Sequence, residues 1–191
     1  SIEMSIMRTS LLPGLLQNLM YNLQRQHENI KLFESAKIFG HNNKNNNEKD
    51  VIAGISYGSS VAEQWSLKSN PIDFYDVKGD LELLFSSLKI NDHISFLQDN
   101  HPMLCPGKNA KIEFNGSAIG HVGELNPELT MNLDLVQNPI LFEIEKQHLK
   151  FPSEVNYQDH QYFPSSRRDI SLLMHENQEA SAIFKTIELL E

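Results

Sequence analysis

The sequence predicts an α+β fold, in which helices flank an antiparallel sheet. Apolar residues recur at helical spacing near the start of the chain and again over residues 73–90. Most other apolar runs are short and rich in β-branched and aromatic residues, which is typical of strands. Two such runs flank Asn115-Gly116, a dipeptide that favours a tight type I′ hairpin. Because hairpin strands are antiparallel, these observations together indicate an antiparallel sheet with helices packed on it.

The composition is that of an ordinary globular protein. Of the 191 residues, 40% are hydrophobic and 21% are charged, which is enough to build a core without a disulfide or a metal. Cys105 is the single cysteine and cannot form an internal disulfide. No apolar run is long enough to span a membrane, and we expect a cytoplasmic protein. The start at Ser1 and the helical pattern at the end make us expect a piece of a longer protein.

The first element is predicted as a helix over Ser10–His27. Ser10 or Thr9 is the predicted N-cap, and Pro13 falls in the first turn, where a missing amide costs nothing. No residue from 9 to 24 is charged, and the apolar residues form two adjacent stripes. These apolar positions are Leu11, Leu12, Leu15, Leu16, Leu19, Met20 and Leu23. Such a wide face leaves two interpretations open, because it can pack in the chain's own core or bind another protein.

The remaining elements follow from hydrophobic periodicity and from the turn residues between periodic segments. The second predicted strand is apolar on both faces, which favours a central position in the sheet. The predicted elements are strand 30–39, polar loop 41–50, strand 51–58, helix 73–90, strand 93–98, loop 101–110, hairpin 110–125, short helix 126–135 and strand 138–149. Asn126 is the predicted cap of the short helix, with Pro127 at its first position.

The prediction divides the chain into a core and the start of a second domain. Residues 1–150 carry the sheet and its helices, and residues 151–162 form a polar linker. Residues 163–191 contain a predicted strand at 167–174 and a helix at 179–190. One strand and one helix bury little surface alone, so we interpret them as the first βα unit of a truncated domain.

Two groups of polar residues are candidate reaction centres. Three aspartates at helical spacing could suggest a metal site, but no histidine accompanies them, and a solvated helix face is the favoured interpretation. These acids are Asp73, Asp76, Asp80 and Glu82. The second group lacks the spacing of zinc or nucleophile motifs, and a lone cysteine is more often a small buried residue. Its members are His101, Cys105, His121 and Glu124.

The distribution of arginines argues against phosphoryl chemistry in the core. The chain has four arginines, and none lies between residues 26 and 166. A site for ATP would have to stabilise phosphate charge with lysine or metal alone, and no phosphate-binding loop is present. The net charge of −9 also counts against nonspecific nucleic-acid binding. The adjacent pair Arg167 and Arg168 could still contact a phosphate backbone, or one of them could pair with Asp169.

Several blocks of the chain, in order, resemble the β subunit of bacterial phenylalanyl-tRNA synthetase. The blocks are "SIEMSIMRTSLLPGLLQNLMYNLQRQ", "KLFESAKIF", "DFYDVKGDLELLF", "HPMLCPGKNAKIEFNGSAIGHVGELNPEL" and "FEIE". A further block, "YFPSSRRDISLLM", resembles the start of that subunit's ferredoxin-like, C-terminal anticodon-binding domain. The resemblance covers nearly the whole chain. It implies a core module with the antiparallel fold of class II aminoacyl-tRNA synthetases.

The resemblance also implies a function. In that family the enzyme is an α2β2 tetramer, whose α subunit joins phenylalanine to tRNA(Phe) with ATP and magnesium. The module resembled here is structural, holds no cofactor or metal, and pairs with the α subunit. We therefore expect the leucine face of helix 10–27 at the α-subunit interface, and Arg167 and Arg168 as tRNA contacts. The candidate interface residues are Leu11, Leu12, Leu15, Leu16 and Leu19.

The sequence leaves two other functions open. The first is a stand-alone RNA-binding module that uses Arg167 and Arg168 and has no synthetase partner. The acidic net charge and the shortness of the second domain argue against it. The second is a small hydrolase or metal enzyme that uses the acids within residues 73–82.

Overall fold

The computed structural model describes residues 7–42, 45–61, 64–66, 68–150, 166–174, 183–184 and 186–187. The chain divides into two units, residues 1–155 and 156–191. The elements of the first unit are α1 (Leu12–Leu23), β1 (Ile30–Asn42), β2 (Asn45–Tyr57), α2 (Phe74–Ser87), β3 (Ile94–Gln98), β4 (Leu104–Phe114), β5 (Ser117–Leu125), α3 (Pro127–Asn132) and β6 (Ile140–Glu145). Short 3-10 turns at Asn91–His93 and Lys146–His148 precede β3 and follow β6.

The strands of the first unit form one sheet with the order β1-β2-β6-β5-β4-β3. Each neighbouring pair is antiparallel. The sequence of helices and strands along the chain is the predicted one, and the antiparallel α+β class is confirmed. β2 lies inside the sheet, as its two apolar faces predict, whereas β1 and β3 are the edge strands.

Helix α1 covers one face of the sheet. Alternation along β2 places Val51, Ala53 and Ile55 on this face, where they pack against the leucines of α1. Leu141 from β6 and Leu125 from β5 extend the same cluster. The leucine stripe of the first helix therefore packs into the chain's own core, which is one of the two interpretations that its sequence leaves open.

Helix α2 covers the opposite face. Its Val77, Leu81 and Phe85 are buried against a second cluster that includes Ile112 from β4 and Ile144 from β6. Since burial of one large aliphatic side chain stabilises a fold by about 1.5–3 kcal/mol, each cluster is a substantial core. β6 contributes to both clusters and lies in the middle of the sheet, so it holds the two layers together.

The tight hairpin between β4 and β5 is confirmed. Asn115 and Gly116 have φ values of 50° and 77°, and positive φ at both central residues defines a type I′ turn. The ladder around it is not regular, because its register shifts between Ile112 and Glu113. This bulge brings Ile119 into the core on the α2 face.

Two predicted loops are shorter in the structure than in the prediction. The predicted polar loop 41–50 is wrong over most of its length, because β1 continues to Asn42 and β2 begins at Asn45. The predicted loop 101–110 is wrong from Leu104 onward, where β4 begins. The register of β4 relative to β5 shifts between Leu104 and Asn109. This irregularity accommodates Pro106 and also Gly107, whose φ is 79°.

Helix α1 is also shorter than the predicted 10–27. Leu11 is its N-cap residue, and Gln26, at φ of 64°, lies in the left-handed region just beyond its end. Ser10 does bind the helix start, since its hydroxyl oxygen accepts a hydrogen bond from the Leu12 amide at 3.1 Å. Pro13 occupies the first turn, as predicted. The predicted N-cap was therefore displaced by one residue.

The second unit is described only over residues 166–174, 183–184 and 186–187. The strand predicted at 167–174 is not seen, and these residues pair with none of the described strands. The described residues between 183 and 187 are helical, within the predicted helix 179–190. The predicted linker lies outside the described residues. In the described part of the chain, no helix is both long and apolar enough to cross a membrane.

Candidate functional site

An apolar groove runs along the outward side of α1. Its volume is about 470 Å³, and its walls come from α1, from the turn before β4 and from α3 with its end. The lining residues are Pro13, Leu16, Gln17, Met20, Tyr21, Gln24, Met103, Leu129, Asn132 and Leu133. None of these residues carries a charge, so the groove suits an apolar side chain or helix from a partner more than a polar substrate.

The outward surface of α1 differs from that of α2. The exposed positions of α1 include Pro13, Gln17, Asn18 and Tyr21, and the helix has no charged residue. The exposed surface of α2, in contrast, carries the charged residues Asp76 and Asp80, although Tyr75 and Leu83 are exposed there as well. Charged residues are depleted at the centre of protein interfaces, and α1 shares this property.

The five predicted interface leucines lie behind this surface. Leu11, Leu12, Leu15, Leu16 and Leu19 are between 0 and 8% exposed and pack against the sheet. Leu16 is the only one of the five that also lines the groove. The leucines fix the position of α1 on the sheet, and the side chains that remain available to a partner point the other way.

The groove ends at a cation–π pair. The Arg25 guanidinium carbon lies 3.3 Å from the centre of the Tyr21 ring, and the same side chain donates a hydrogen bond to the Tyr21 carbonyl oxygen at 3.0 Å. Tyr21 is 54% exposed. The arginine holds the ring in place at the rim, where a rigid aromatic side chain can serve as an anchor for a partner.

A cluster of titratable groups adjoins the groove at the turn before β4. His121 on β5 lies 2.8 Å from Asp99, measured from Nδ1 to the carboxylate oxygen Oδ2. The ring of His101 lies 4.7 Å from the ring of His121, between centroids. The Met103 amide donates a long hydrogen bond, of 3.4 Å, to His101 Nδ1. The two histidines singled out in the sequence are therefore neighbours, together with an aspartate that the sequence did not indicate.

The surroundings shift three pKa values near this cluster. The pKa of Asp99 is lowered, chiefly by a hydrogen bond from the Asn100 amide and further by His121. The pKa of His101 is lowered, first by burial and then by the proximity of His121. The pKa of Lys111 on β4 is raised by its hydrogen bond to Glu113. At neutral pH, the cluster thus contains an ionised Asp99 beside a neutral His101.

The acids of α2 have structural roles. The Asp73 carboxylate accepts hydrogen bonds from the amides of Tyr75 and Asp76, while Asp76 accepts one from the Asp73 amide, which completes a capping box. Asp80 pairs with Lys31 at 3.3 Å, and Glu82 pairs with Lys78. The four acids thus cap α2 or pair with lysines, as acids on an exposed helix do. Among the described residues, no three side chains form a group that could hold a metal ion.

Cys105 and Glu124, the other residues considered as a reaction centre, do not join the histidines. Glu124 pairs with Lys108 at 2.8 Å and accepts a hydrogen bond from Asn138. Cys105 Sγ lies near the Pro106 carbonyl oxygen at 3.7 Å, and Cys105 is partly exposed. The carboxylate is thus engaged in holding β5 to its surroundings.

Arg167 and Arg168 are exposed in the second unit. Within the described residues, neither forms an ion pair with Asp169. Their role as tRNA contacts stays a prediction.

Glu143 is not among the site residues predicted from the sequence, yet it has a central role on the α1 face. Its carboxylate Oε2 accepts hydrogen bonds from the Leu11 amide at 2.7 Å and from the Ser10 hydroxyl at 3.0 Å. Glu143 is separated from Leu11 by 132 residues, so no local pattern could reveal the pair. The available signal was an acid at the fourth position of the otherwise apolar run "ILFEI" in a central strand.

Comparison with known proteins places the chain in a family. Residues 1–146 match the family model described as the phenylalanyl tRNA synthetase beta chain CLM domain. The chain is 40% identical over 172 residues to the phenylalanine–tRNA ligase beta subunit of Coxiella burnetii, an alignment that covers 90% of this chain and 22% of the relative. It is 38% identical over 187 residues to the corresponding subunit of Legionella pneumophila (strain Paris), covering 98% of this chain and 24% of the relative.

The structural comparison agrees on the fold. A pyrrolysyl tRNA synthetase from Desulfitobacterium hafniense superposes with a TM-score of 0.54 at 13% sequence identity, covering 74% of this chain and 47% of that one. This likeness supports an aminoacyl-tRNA synthetase type of fold. The chain spans about a quarter of the length of the curated relatives that it matches. With most of its residues matched by the family model, the chain belongs to the family of phenylalanyl tRNA synthetase beta chain CLM domains.

Proposed function

We propose that this chain is a structural module of the β subunit of phenylalanine–tRNA ligase, and that it pairs with the catalytic α subunit through the groove beside α1. The observation that carries the proposal is the uncharged outward surface of α1, next to an apolar groove of about 470 Å³. A helix surface that faces only solvent normally carries charges. The family membership supports the same assignment.

The module itself is proposed to be noncatalytic. Residues 26–166 contain no arginine, although stabilisation of a nucleotide's phosphates calls for cations. Six lysines of the sheet and of α2 are already paired with carboxylates, which reduces their availability to a phosphate. We therefore assign ATP, magnesium and the joining of phenylalanine to tRNA(Phe) to the α subunit of an α2β2 enzyme in the cytoplasm.

The interface assignment refines the role of the five predicted leucines. Leu11, Leu12, Leu15, Leu16 and Leu19 support α1 from the core side. Direct contact with the α subunit falls to the outward side chains, chiefly Met20 and Tyr21. Tyr21 offers an aromatic anchor, and Met20 offers an adaptable apolar surface.

The second unit is proposed to be the start of a ferredoxin-like, anticodon-binding domain. Arg167 and Arg168 are exposed and adjacent, so both can reach a phosphate backbone. Replacement of both by alanine is expected to weaken tRNA binding by the assembled enzyme and to reduce its salt dependence. The assignment would be contradicted if the variant and the natural enzyme bound tRNA with the same affinity at every salt concentration.

Light scattering after size exclusion tests the proposed function. The chain is mixed with the purified α subunit at micromolar concentration, and the mass of the eluting species is measured. We expect a complex that contains both chains. Separate elution of the two chains, together with tRNA binding by this chain alone, would instead support a stand-alone RNA-binding module.

A further inference from the structure

A histidine ring nitrogen is a second, weak acceptor inside the turn between β3 and β4, beside the backbone bond that closes the turn. The Leu104 amide donates to the His101 carbonyl oxygen at 3.0 Å, which closes a turn over residues 101–104. Inside this turn the Met103 amide points at His101 Nδ1, at 3.4 Å. The ring nitrogen thus takes the place that an Asn or Asp oxygen occupies in an Asx-turn. An imidazole nitrogen can accept this bond only while it carries no proton.

The neighbours of His101 disfavour the protonated, positively charged form of its ring. Its ring lies 4.7 Å from the ring of His121, so a proton on each would place two like charges together. Asp99 is the one carboxylate at hydrogen-bond distance in this cluster, and His121 Nδ1 already occupies it at 2.8 Å. Because the pKa of Asp99 is lowered, its carboxylate is ionised, and the nitrogen of His121 that faces it must be the donor.

The other charged groups around the cluster are largely engaged elsewhere. Lys111 on β4 and Glu143 on β6 are the register partners of His121 on the same sheet face. Lys111 pairs with Glu113 at 2.6 Å, and Glu143 binds the start of α1. Helix α1 brings no charge, and Glu128 is the single charged residue of α3. The charge of Asp99 favours a proton on His101, but burial and His121 have larger effects in the opposite direction.

We propose that His101 is a proton-operated switch for the turn that forms one wall of the groove, closed while the ring is neutral and released when it is protonated. On protonation, Nδ1 becomes a donor that faces the Met103 donor, and the two N–H groups repel each other. Met103 lines the groove and packs against the leucine cluster of α1. Its carbonyl oxygen accepts from the Asn126 amide at 2.9 Å, so a change in the turn is passed on to the start of α3.

The direction of the pH response follows from the lowered pKa of His101. The neutral form is favoured in the closed turn, so opening becomes easier as pH falls below the ordinary histidine value of 6.5. One proton linked to opening changes the opening equilibrium by at most about tenfold per pH unit. The change in the opening equilibrium is confined to pH values between the ordinary pKa of histidine and the lowered pKa of His101 in the closed turn. Above pH 7.5 the turn is expected to be closed.

The test is an NMR titration of the complete ¹⁵N-labelled chain from pH 7.5 to pH 5. The Met103 amide resonance should shift with the same midpoint as the His101 ring resonances. Its protection against hydrogen exchange, corrected for the intrinsic pH effect, should fall by up to about tenfold per pH unit. A Met103 amide that stays unchanged while the His101 ring titrates would overturn the proposal.

Two variants separate the switch from a general response to acid. His101→Asn keeps an acceptor at the position of Nδ1 but cannot be protonated, so the Met103 amide should keep its protection throughout the titration. His121→Asn keeps a donor for Asp99 and removes the neighbouring ring charge, so the midpoint at His101 should rise. The proposal is contradicted if His101→Asn shows the same pH response as the natural chain, or if His121→Asn leaves the midpoint unchanged.

Discussion

The carboxylate of Glu143, in the middle of the sheet, caps the first helix by accepting a hydrogen bond from the Leu11 amide at 2.7 Å. The first amides of a helix have no intrahelical partners, and negative charge there also interacts favourably with the helix dipole. Glu143 also accepts from the Ser10 hydroxyl at 3.0 Å. One strand residue thus sets both the start and the position of the helix that carries the proposed interface.

Replacement of Glu143 by alanine is expected to destabilise the chain. The loss of an acceptor at a helix start costs about 0.5–2 kcal/mol in the free energy of unfolding. Urea unfolding of Glu143→Ala and of Glu143→Gln measures the effect. The glutamine variant keeps an acceptor oxygen and should lose less than the alanine variant. Equal stability of the natural chain and Glu143→Ala would show that the bond adds nothing to the fold.

Replacement of a buried leucine of α1 by alanine should destabilise the chain far more than the same replacement of an exposed leucine of α2. Leu19 is 0% exposed, and Leu19→Ala is expected to cost about 2–5 kcal/mol through lost burial and a cavity. Leu83 is 68% exposed, and Leu83→Ala should change stability by no more than about 0.5 kcal/mol. Thermal and urea unfolding compare the two. A small effect at Leu19 would mean that α1 does not pack on the sheet.

Two glycines are expected to respond to alanine in opposite directions. A Cβ on Gly120 would lie 2.3 Å from the Glu143 carbonyl oxygen and 2.9 Å from Ile144 Cα, so the backbones of β5 and β6 would have to separate. A Cβ on Gly79, within α2, would meet nothing within 4 Å. Gly79→Ala should therefore stabilise the chain by about 0.5–1 kcal/mol.

The prediction for the glycines is checked by urea unfolding. We expect Gly120→Ala to lower the unfolding midpoint and Gly79→Ala to raise it. Tolerance of alanine at Gly120 would contradict the close approach of the two central strands.

Acid should weaken the fold in two steps with different causes. The pKa of His101 is lowered, so its contribution to stability is complete above about pH 6.5 and is lost as pH falls from there towards the folded-state pKa. The pKa of Asp99 is lowered as well, so its contribution is present above the ordinary value of 3.8 and is lost below it.

Urea unfolding at a series of pH values measures these steps. His101→Asn should flatten the profile between pH 6.5 and pH 5, whereas Asp99→Asn should flatten it only below about pH 4. The first step would be contradicted if the free energy of unfolding of the natural chain rose from pH 7 to pH 5.5 while that of His101→Asn stayed constant.

The sequence predicted the features that depend on neighbouring residues. Asn115-Gly116 specified its turn because only a few residue types tolerate positive φ, and the periodicity of residues 73–90 identified α2. The order of helices and strands followed from the same local patterns. The strand that begins at Leu104 was missed because proline and glycine normally interrupt strands, and only the bulge opposite β5 accommodates them here.

The groove beside α1 and the histidine cluster depend on tertiary contacts, so much of the candidate site was not predictable from local sequence patterns. Asp99 follows β3 and lies 22 residues from His121 on β5, and the two meet because both strands pair with β4. Glu143 reaches Leu11 from β6, the strand beneath the start of α1. The uncharged character of α1 was visible in the sequence, but the division into a buried leucine face and an outward groove required the packing of α1 on the sheet.

The central claim is that the α subunit binds at the groove beside α1, and the affinity of a matched pair of variants tests it most directly. Met20→Glu places a charge in the groove, while Leu83→Glu places the same charge on the exposed surface of α2, which packs on the opposite face of the sheet. Circular dichroism first verifies that both variants are folded. Titration calorimetry with the α subunit should then give a Kd at least about tenfold weaker for Met20→Glu, which corresponds to about 1.4 kcal/mol, and an unchanged Kd for Leu83→Glu. The same affinity for Met20→Glu and the natural chain would contradict the account.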